Sequence, residues 1–419
     1  MNGKILLFGS AVVLGLLIGC QTGPRFDGPV RAVWVVRTNY RSPEDIKHVM
    51  ANCADAGFNH VIFQVRGNAT VYYPSKIEPW SEEYNYTSPG FDPLAVACQE
   101  AHARKLKIHA WVNVIPAWKG ETPPKCPDQL YNKHPEWFWY DQQGRRQPLS
   151  SFYVSLNPCL PEVRTYLVDV FRELLANYPL DGLHMDYIRF PNEPPAIPRG
   201  SGIDYPRDKR TLELYMQDSW LSPNPDGNKA NWDRWRTRQV TKLAAQIRDM
   251  VRETRPQAIL SASVGSNRRQ SLTHFRDELY WVRWGLIDAA FPMNYKPDVQ
   301  RFDEGLAMWM SHRGQVDVVP GLWFDGRLPT EQGISVVREQ IASAVDKTGN
   351  FCLFSYTSLF DPPASRQGQG ARPDDAARPR GRSAGQRGLR RQQLLPYIRS
   401  LAGSTTGRVA MVDAVPVAE

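Results

Sequence analysis

The chain has 419 residues, 42% hydrophobic and 11% aromatic, with 51 Lys and Arg against 43 Asp and Glu for a formal net charge of +8. That length and apolar content describe a core-forming globular protein and exclude a largely disordered or fibrous one. The charge does not mark a polyanion-binding body, because residues 361–395 carry eight Arg and three Asp, five of the eight net charges, and the remainder is near balance.

The N-terminal stretch MNGKILLFGSAVVLGLLIGC has a basic Lys4 and then an apolar run too short for a comfortable membrane span. It reads as a signal peptide over residues 1–20. Its ending, Leu17 to Cys20, resembles the bacterial lipoprotein box, which implies cleavage before Cys20 and acylation of that thiol. Gln21 in place of Asp then favours an outer-membrane anchor facing the periplasm, if the host is Gram-negative. Residues 21–30 read as a linker. The five remaining cysteines match no metal spacing. Cys126 and Cys159 share one long connection and are candidates for a disulfide, whereas Cys53, Cys98 and Cys352 sit in apolar patterns expected in the core.

From residue 31 onward, β-rich runs alternate with amphipathic helical segments. The runs cover 31–37, 60–66, 107–114, 182–190, 259–264, 287–295, 316–324 and 350–360. Segments such as PEDIKHVMANCADAGF and PEVRTYLVDVFRELLANY open with Pro in the first helical turn, a favourable start. Eight strands with seven visible crossovers predict an α/β fold, a (β/α)8 TIM barrel over residues 31–360. A doubly wound sheet would carry a Gly-rich phosphate turn after its first strand, and RTNYRSP is not one. Residues 361–419 read as an Arg/Pro/Gly-rich tail without regular structure.

Two connections are long, residues 115–158 after the third run and 191–231 after the fourth. Both follow the C-terminal ends of strands, where barrel enzymes build their sites. The first holds HPEWFWYDQQGR, read as an aromatic wall of a cleft, with collapse of those rings onto the barrel as the opposing reading.

Side chains alternate along a strand, so parity assigns faces. In DGLHMDYIRFP, apolar Leu183 and Met185 should meet the surrounding helices, which turns His184 and Asp186 into the barrel. The same argument turns Gln64 and Arg66 inward on the second strand, and His109, Trp111 and Asn113 on the third; Asn294 and Tyr295 end the sixth and Trp323 the seventh. Asp186, late in its strand among apolar walls, is the candidate general acid. The competing reading pairs it with Arg66 or Arg189. His184, one layer deeper, is expected to orient Asp186, and Arg189 to anchor the next loop or clamp a substrate carboxylate. Asp181 precedes Gly182 at the opposite face and reads as a turn former.

The motifs RAVWVVRTN, HVIFQVRGNATVYYPSKIEPW, KIHAWVNV, HPEWF, SLNPCLPEVRTYL and DGLHMDYIRFP together resemble the glycosyl-hydrolase-like family 10 proteins, over about residues 31–360. The resemblance implies a (β/α)8 barrel hydrolysing β-linked glycans, and for outer-membrane lipoprotein members peptidoglycan strands stripped of stem peptides. The family's acidic residue after the fourth strand matches Asp186. The tail beyond Asp361 resembles nothing in the family.

Glycoside hydrolysis commonly uses two carboxylates. Asp325 after the seventh strand is the first choice as partner, with Asp298 second and Glu78 a remote third. Alternatively the substrate's own 2-acetamido group acts as nucleophile, held by Asn294 and Tyr295. No cofactor or metal is expected. A metal-dependent deacetylase built on His109, His184 and Asp186 is a weak alternative, and no Gly-x-Ser-x-Gly elbow is present. The expected partners are a polysaccharide, with Arg66, His109, Trp111, Asn113, His184, Arg189, Asn294, Tyr295 and Trp323 as its contacts, and the membrane through the lipid on Cys20, with no nucleic acid. The rival from another class is a lipoprotein that binds cell-wall glycan without cleaving it.

Overall fold

The computed structural model describes residues 23–191, 197, 200–218, 224–323, 331–361 and 384–402. The signal segment with Cys20, the residues around Asp325 and most of the C-terminal tail lie outside them.

A parallel sheet built from β1 (Arg31–Val35), β2 (His60–Arg66), β3 (Lys107–Asn113), β6 (Gly182–Asp186), β7 (Ile259–Val264), β8 (Ala289–Pro292), β9 (Asp317–Val318), β10 (Gly321–Trp323) and β11 (Phe351–Phe354) forms the centre. Its two ends, β9 and β10, are halves of one run interrupted at Pro320, which lacks the N–H a continuous ladder needs. Val319 N–H bonds to Ala290 O at 2.9 Å and Met293 bridges to Gly321, so the run joins its two neighbours and the sheet closes as an eight-stranded barrel. The remaining strands, β4 (Pro116–Gly120) and β5 (Ser150–Ser155), form an antiparallel pair in the long connection after β3.

Local sequence explains the helices. In α1 (Pro43–Asp55), Ser42 accepts from Asp45 N–H while the Asp45 carboxylate answers the N–H of Ser42, a capping box with Pro at the first turn. Asp92 caps α2 (Pro93–Ala103), Asn228 caps α6 (Lys229–Thr254) and Asp298 caps α9 (Val299–His312). The other crossover helices are α4 (Pro161–Asn177) and α10 (Glu331–Thr348). Shorter ones are α3 (Leu130–Lys133), α5 (Lys209–Asp218), α7 (Arg268–Thr273), α8 (Glu278–Arg283) and α11 (Tyr356–Leu359). Among the described residues no helix is long and apolar enough to cross a membrane.

Strand parity divides the core in two. Leu183, Met185, Val61, Phe63, Ile108 and Ala110 belong to the outer cluster under the helices. Ala32, Trp34, Ile62, Trp111, Phe291, Val319 and Cys352 fill the barrel itself. The floor is plugged from the N-terminal side by Phe26, whose ring meets His60 at 5.1 Å and His109 at 6.0 Å. Arg25 pairs with Asp317 at the same end.

Two expectations change. Residues 384–402, read as part of an irregular tail, form α12 (Ala384–Ala402), which packs on α10 and α11. Leu394 and Ile398 are fully buried there, and Arg390 and Arg391 donate to Ser358 O and Leu359 O. The apolar stripe begins only near Leu389, at the end of an Arg/Gly/Pro-rich window whose average conceals it. All five described cysteines are free, so Cys126 and Cys159 are unpaired, with Cys159 buried.

Candidate active site at the barrel mouth

β6 opens on Gly182, a position where the neighbouring strand leaves no room for a Cβ: the His109 ring occupies that space. It ends at Asp186 because Tyr187 adopts φ +51°, the left-handed region that turns the chain out of the sheet. The Tyr187 N–H donates to Asp186 Oδ1 at 2.7 Å, fixing the carboxyl at the strand end. Asn113 stands opposite Asp186 in the β3–β6 ladder, and Val114 N–H donates to Asp186 O at 2.8 Å.

The Asp186 side chain is 9% exposed, and burial raises its pKa above the usual carboxylate value. The opposing pulls are smaller: the Tyr187 N–H, the charges of Arg189 and Arg276, and the Trp111 indole N–H. That indole N–H is buried and completes no hydrogen bond of good geometry, so it leans on the carboxyl as an unused donor. Tyr295 approaches from the end of β8; its phenol is pushed well up by burial and then by the Asp186 charge, so it stays protonated. Its ring meets Trp323 at 6.1 Å and Phe354 at 6.0 Å. Asp186, Trp111, Asn113, Tyr295 and Trp323 thus gather at the C-terminal mouth. A chain of polar groups steadies them: Arg37 N–H donates to Gln64 Oε1 at 3.1 Å, and Gln64 Nε2 to Asn113 Oδ1 at 3.3 Å.

Other predicted residues lie elsewhere. A register shift between Gln64 and Arg66 sets Arg66 opposite Val112, an outward position, so parity fails there. Arg66 is fully buried under the helices, paired with Glu78 at 2.6 Å and donating to Asn113 O and Val114 O. The same ion pair occupies Glu78. His109 belongs to the floor, where its Nε2 lies 3.0 Å from His60 Nδ1. Asn294 lies beyond the end of β8 and turns toward α9, donating to Phe302 O at 2.7 Å and filling the space where Gly305 has no Cβ. Asp298 is the α9 cap.

His184 is one layer below the mouth and does not bond to Asp186. Its Nδ1 lies 2.9 Å from Ser261 Oγ, its Nε2 lies 2.9 Å from Ser263 Oγ, and Trp34 Nε1 donates to Nε2 at 3.3 Å. Since the indole can only donate, Nε2 accepts and Nδ1 carries the proton, a neutral imidazole in keeping with a pKa held well below 6.5 by burial. His109, His184 and Asp186 therefore do not converge as a ligand set, and no three metal-ligating side chains cluster among the described residues. Asp181 binds Ile108 N–H, His102 and Lys107 at the floor, the turn role expected of it.

The aromatic connection after β3 is mostly folded inward. Phe138 and Trp139 are fully buried, and Trp139 Nε1 donates to Leu156 O at 3.0 Å. Its reach to the site is Tyr153, whose ring lies 5.2 Å from that of Tyr187. Sequence reasoning missed Arg276, which is buried against Glu278 at 2.7 Å and whose charge bears on Asp186. It also missed Ser261 and Ser263, although two serines alternating through an apolar strand were a legible sign of a polar lumen. Among the described residues, Asp186 is the only carboxyl at a lumen-facing C-terminal strand end, and Asp325 lies outside them.

A closed α/β barrel with a buried carboxyl at its C-terminal mouth, its pKa raised by burial, has the architecture on which many glycosidases are built. The chain belongs to the family described as Glycosyl hydrolase-like 10, whose profile matches residues 29–320. It is 27% identical over 305 residues to Glycosyl hydrolase YngK of Bacillus subtilis (64% of this chain, 54% of that protein). It is 29% identical over 284 residues to Glycosyl hydrolase DigH of Escherichia coli K12 (60% of this chain, 58% of that protein). The chain thus spans a little over half the length of these relatives. Among solved structures, the catalytic domain of a β-amylase from Paenibacillus polymyxa superposes with TM-score 0.57 at 12% identity, over 90% of this chain and 99% of that one. An α-L-fucosidase isoenzyme 2 from Paenibacillus thiaminolyticus does so with TM-score 0.56 at 13% identity, over 88% and 49%. At such identities these likenesses show the fold.

Proposed function

We propose that the protein hydrolyses β-linked amino-sugar glycan, specifically peptidoglycan strands lacking stem peptides, from a lipid anchor on Cys20 in the cell envelope, facing the periplasm if the host is Gram-negative. The observation that carries this reading is the Asp186 carboxyl, buried at the mouth of a family barrel with its pKa raised. With Oδ1 held by the Tyr187 N–H, Oδ2 carries the proton and delivers it to the glycosidic oxygen as the bond to the anomeric carbon breaks. Tyr295, kept protonated, and the Trp111 indole N–H supply donors to the sugar beside the scissile bond, and Trp323 a stacking face. Asn113, opposite Asp186 in the ladder, and Arg189, whose charge acts on that carboxyl, are assigned to the same approach. The second function falls to Asp325, two residues beyond Trp323 in the chain, or to the substrate's own acetamido group.

The test is digestion of glycan strands, with and without stem peptides, by the soluble form starting after Cys20, with products read by mass spectrometry. New reducing ends that vanish in Asp186→Asn support the hydrolase. A second reading, a barrel that binds wall glycan without cutting it, draws on Asp186 standing without a second lumen carboxyl among the described residues. Strand binding with no new reducing ends would establish it.

A further inference from the structure

Away from the mouth, α6 and the α7–α8 connection enclose a groove of about 1190 Å³ on the barrel flank. Four large hydrophobic side chains are conspicuously exposed among the described residues, and three of them line this groove: Leu272 (39%), Tyr280 (46%) and Trp284 (58%). The Tyr280 and Trp284 rings lie 5.9 Å apart at 41°, forming a bent platform. Facing them, α6 presents a stripe at helical spacing through Arg234 and Arg238, and Arg269 stands on α7. All three arginines are exposed and make no ion pair among the described residues. The acidic groups of the groove are committed elsewhere: Asp233 to Lys229 and Arg236, Asp277 to the first turn of α8.

Aromatic faces left in water beside unpaired guanidinium forks match one ligand chemistry. Flat rings stack on the C–H faces of pyranoses, and Arg forks bind carboxylates bidentately. We propose that this groove is a second glycan-binding site, for a polysaccharide whose rings carry carboxylates. A lipid surface does not suit a concave groove in which three large apolar side chains stand exposed among basic ones. The other basic groups of its lining, Lys229, Lys242 and Arg248, pair with Asp233, Asp218 and Asp249, which leaves no continuous basic face for nucleic acid. Phe275 lines the groove, and the next residue, Arg276, bears on Asp186 with its charge, so one short piece of chain links the groove to the candidate catalytic carboxyl. Recognition at the groove does not require cleavage at the mouth.

The experiment measures calorimetric binding of peptidoglycan glycan strands freed of stem peptides, whose alternate sugars bear a carboxylate, to the soluble form carrying Asp186→Asn. Trp284→Ala and the pair Arg234→Ala with Arg238→Ala are each added to it. We expect affinity to fall at least tenfold in each, with thermal melting unchanged, and neutral chito-oligosaccharides of equal length to bind more weakly than the strands. Unaltered affinity in both variants overturns the proposal. So does displacement of the strands by polyphosphate with no effect of Trp284→Ala, which reduces the groove to a charged surface. Phosphatidylglycerol vesicles that lose binding in these variants while the strands do not would overturn it in favour of a membrane face. Cleavage of strands by the chain with Asp186 restored is scored separately, so failure of the groove and failure of the hydrolase reading are distinct results.

Discussion

The Tyr187 N–H donates to Asp186 Oδ1 at 2.7 Å from a residue with φ +51°, so the turn that ends β6 also holds the carboxyl. Because burial raises the Asp186 pKa, its charged form costs the fold stability. Below the ordinary unfolded value of about 3.9 the group is protonated in both states, and as pH rises the unfolded chain ionises first. Stability is therefore lost as pH rises through the folded pKa. Asp186→Asn should melt higher than the native protein at pH 8, on the order of 2 °C per kcal/mol recovered, with the gap closing toward pH 4. Thermal scans across that range check it.

Arg189 opposes the raised pKa with its charge. Arg189→Gln should move the alkaline limb of kcat/KM to higher pH, by a few tenths of a unit to about one unit. A pH–rate profile with an unmoved limb removes Asp186 from the role of acid.

The buried histidines act in the opposite sense. His60 and His184 are held well below 6.5, and burial brings His109 down to about 4. All three are neutral in the fold, so stability is full above the unfolded value of about 6.5 and is lost as pH falls toward the folded values. His109 alone accounts for about 3 kcal/mol across that interval. Chemical unfolding at pH 7, 6, 5 and 4 should show a decline that sets in below about 6.5 and continues to pH 4.

Glu78→Gln leaves the Arg66 guanidinium charged and unpaired under the helices. It should cost about 3–5 kcal/mol in urea unfolding. Below the melting transition the change should leave kcat close to native, since Arg66 is on the outer side of the sheet.

Ile398→Ala tests whether α12 belongs to the barrel. The side chain is fully buried, so its truncation should destabilise by about 2–5 kcal/mol. A neutral result would detach the helix from the cooperative unit.

Much of the barrel was legible because each strand carries its own face code. Leu183 and Met185 against His184 and Asp186 fixed the orientation of β6 without any tertiary information. Parity fails where the backbone departs from a regular pleat. The shift before Arg66 reverses its face, and Asn294, read within a strand over 287–295, follows one that ends at Pro292. Tyr187 likewise cuts short a run read through residue 190. Arg276 escaped notice because its bearing on Asp186 comes from tertiary folding of the connection after β7, which no local pattern announces.

Phe26 in the barrel floor has a consequence for how the molecule is mounted. The chain preceding it passes Gly23, which lies against Asp288 and Arg252 at the same pole. Anything that grips the residues before Gly23, an acyl chain on Cys20 included, holds the barrel by its base. Asp186, at the C-terminal end of β6, stands at the pole of the barrel opposite to that grip.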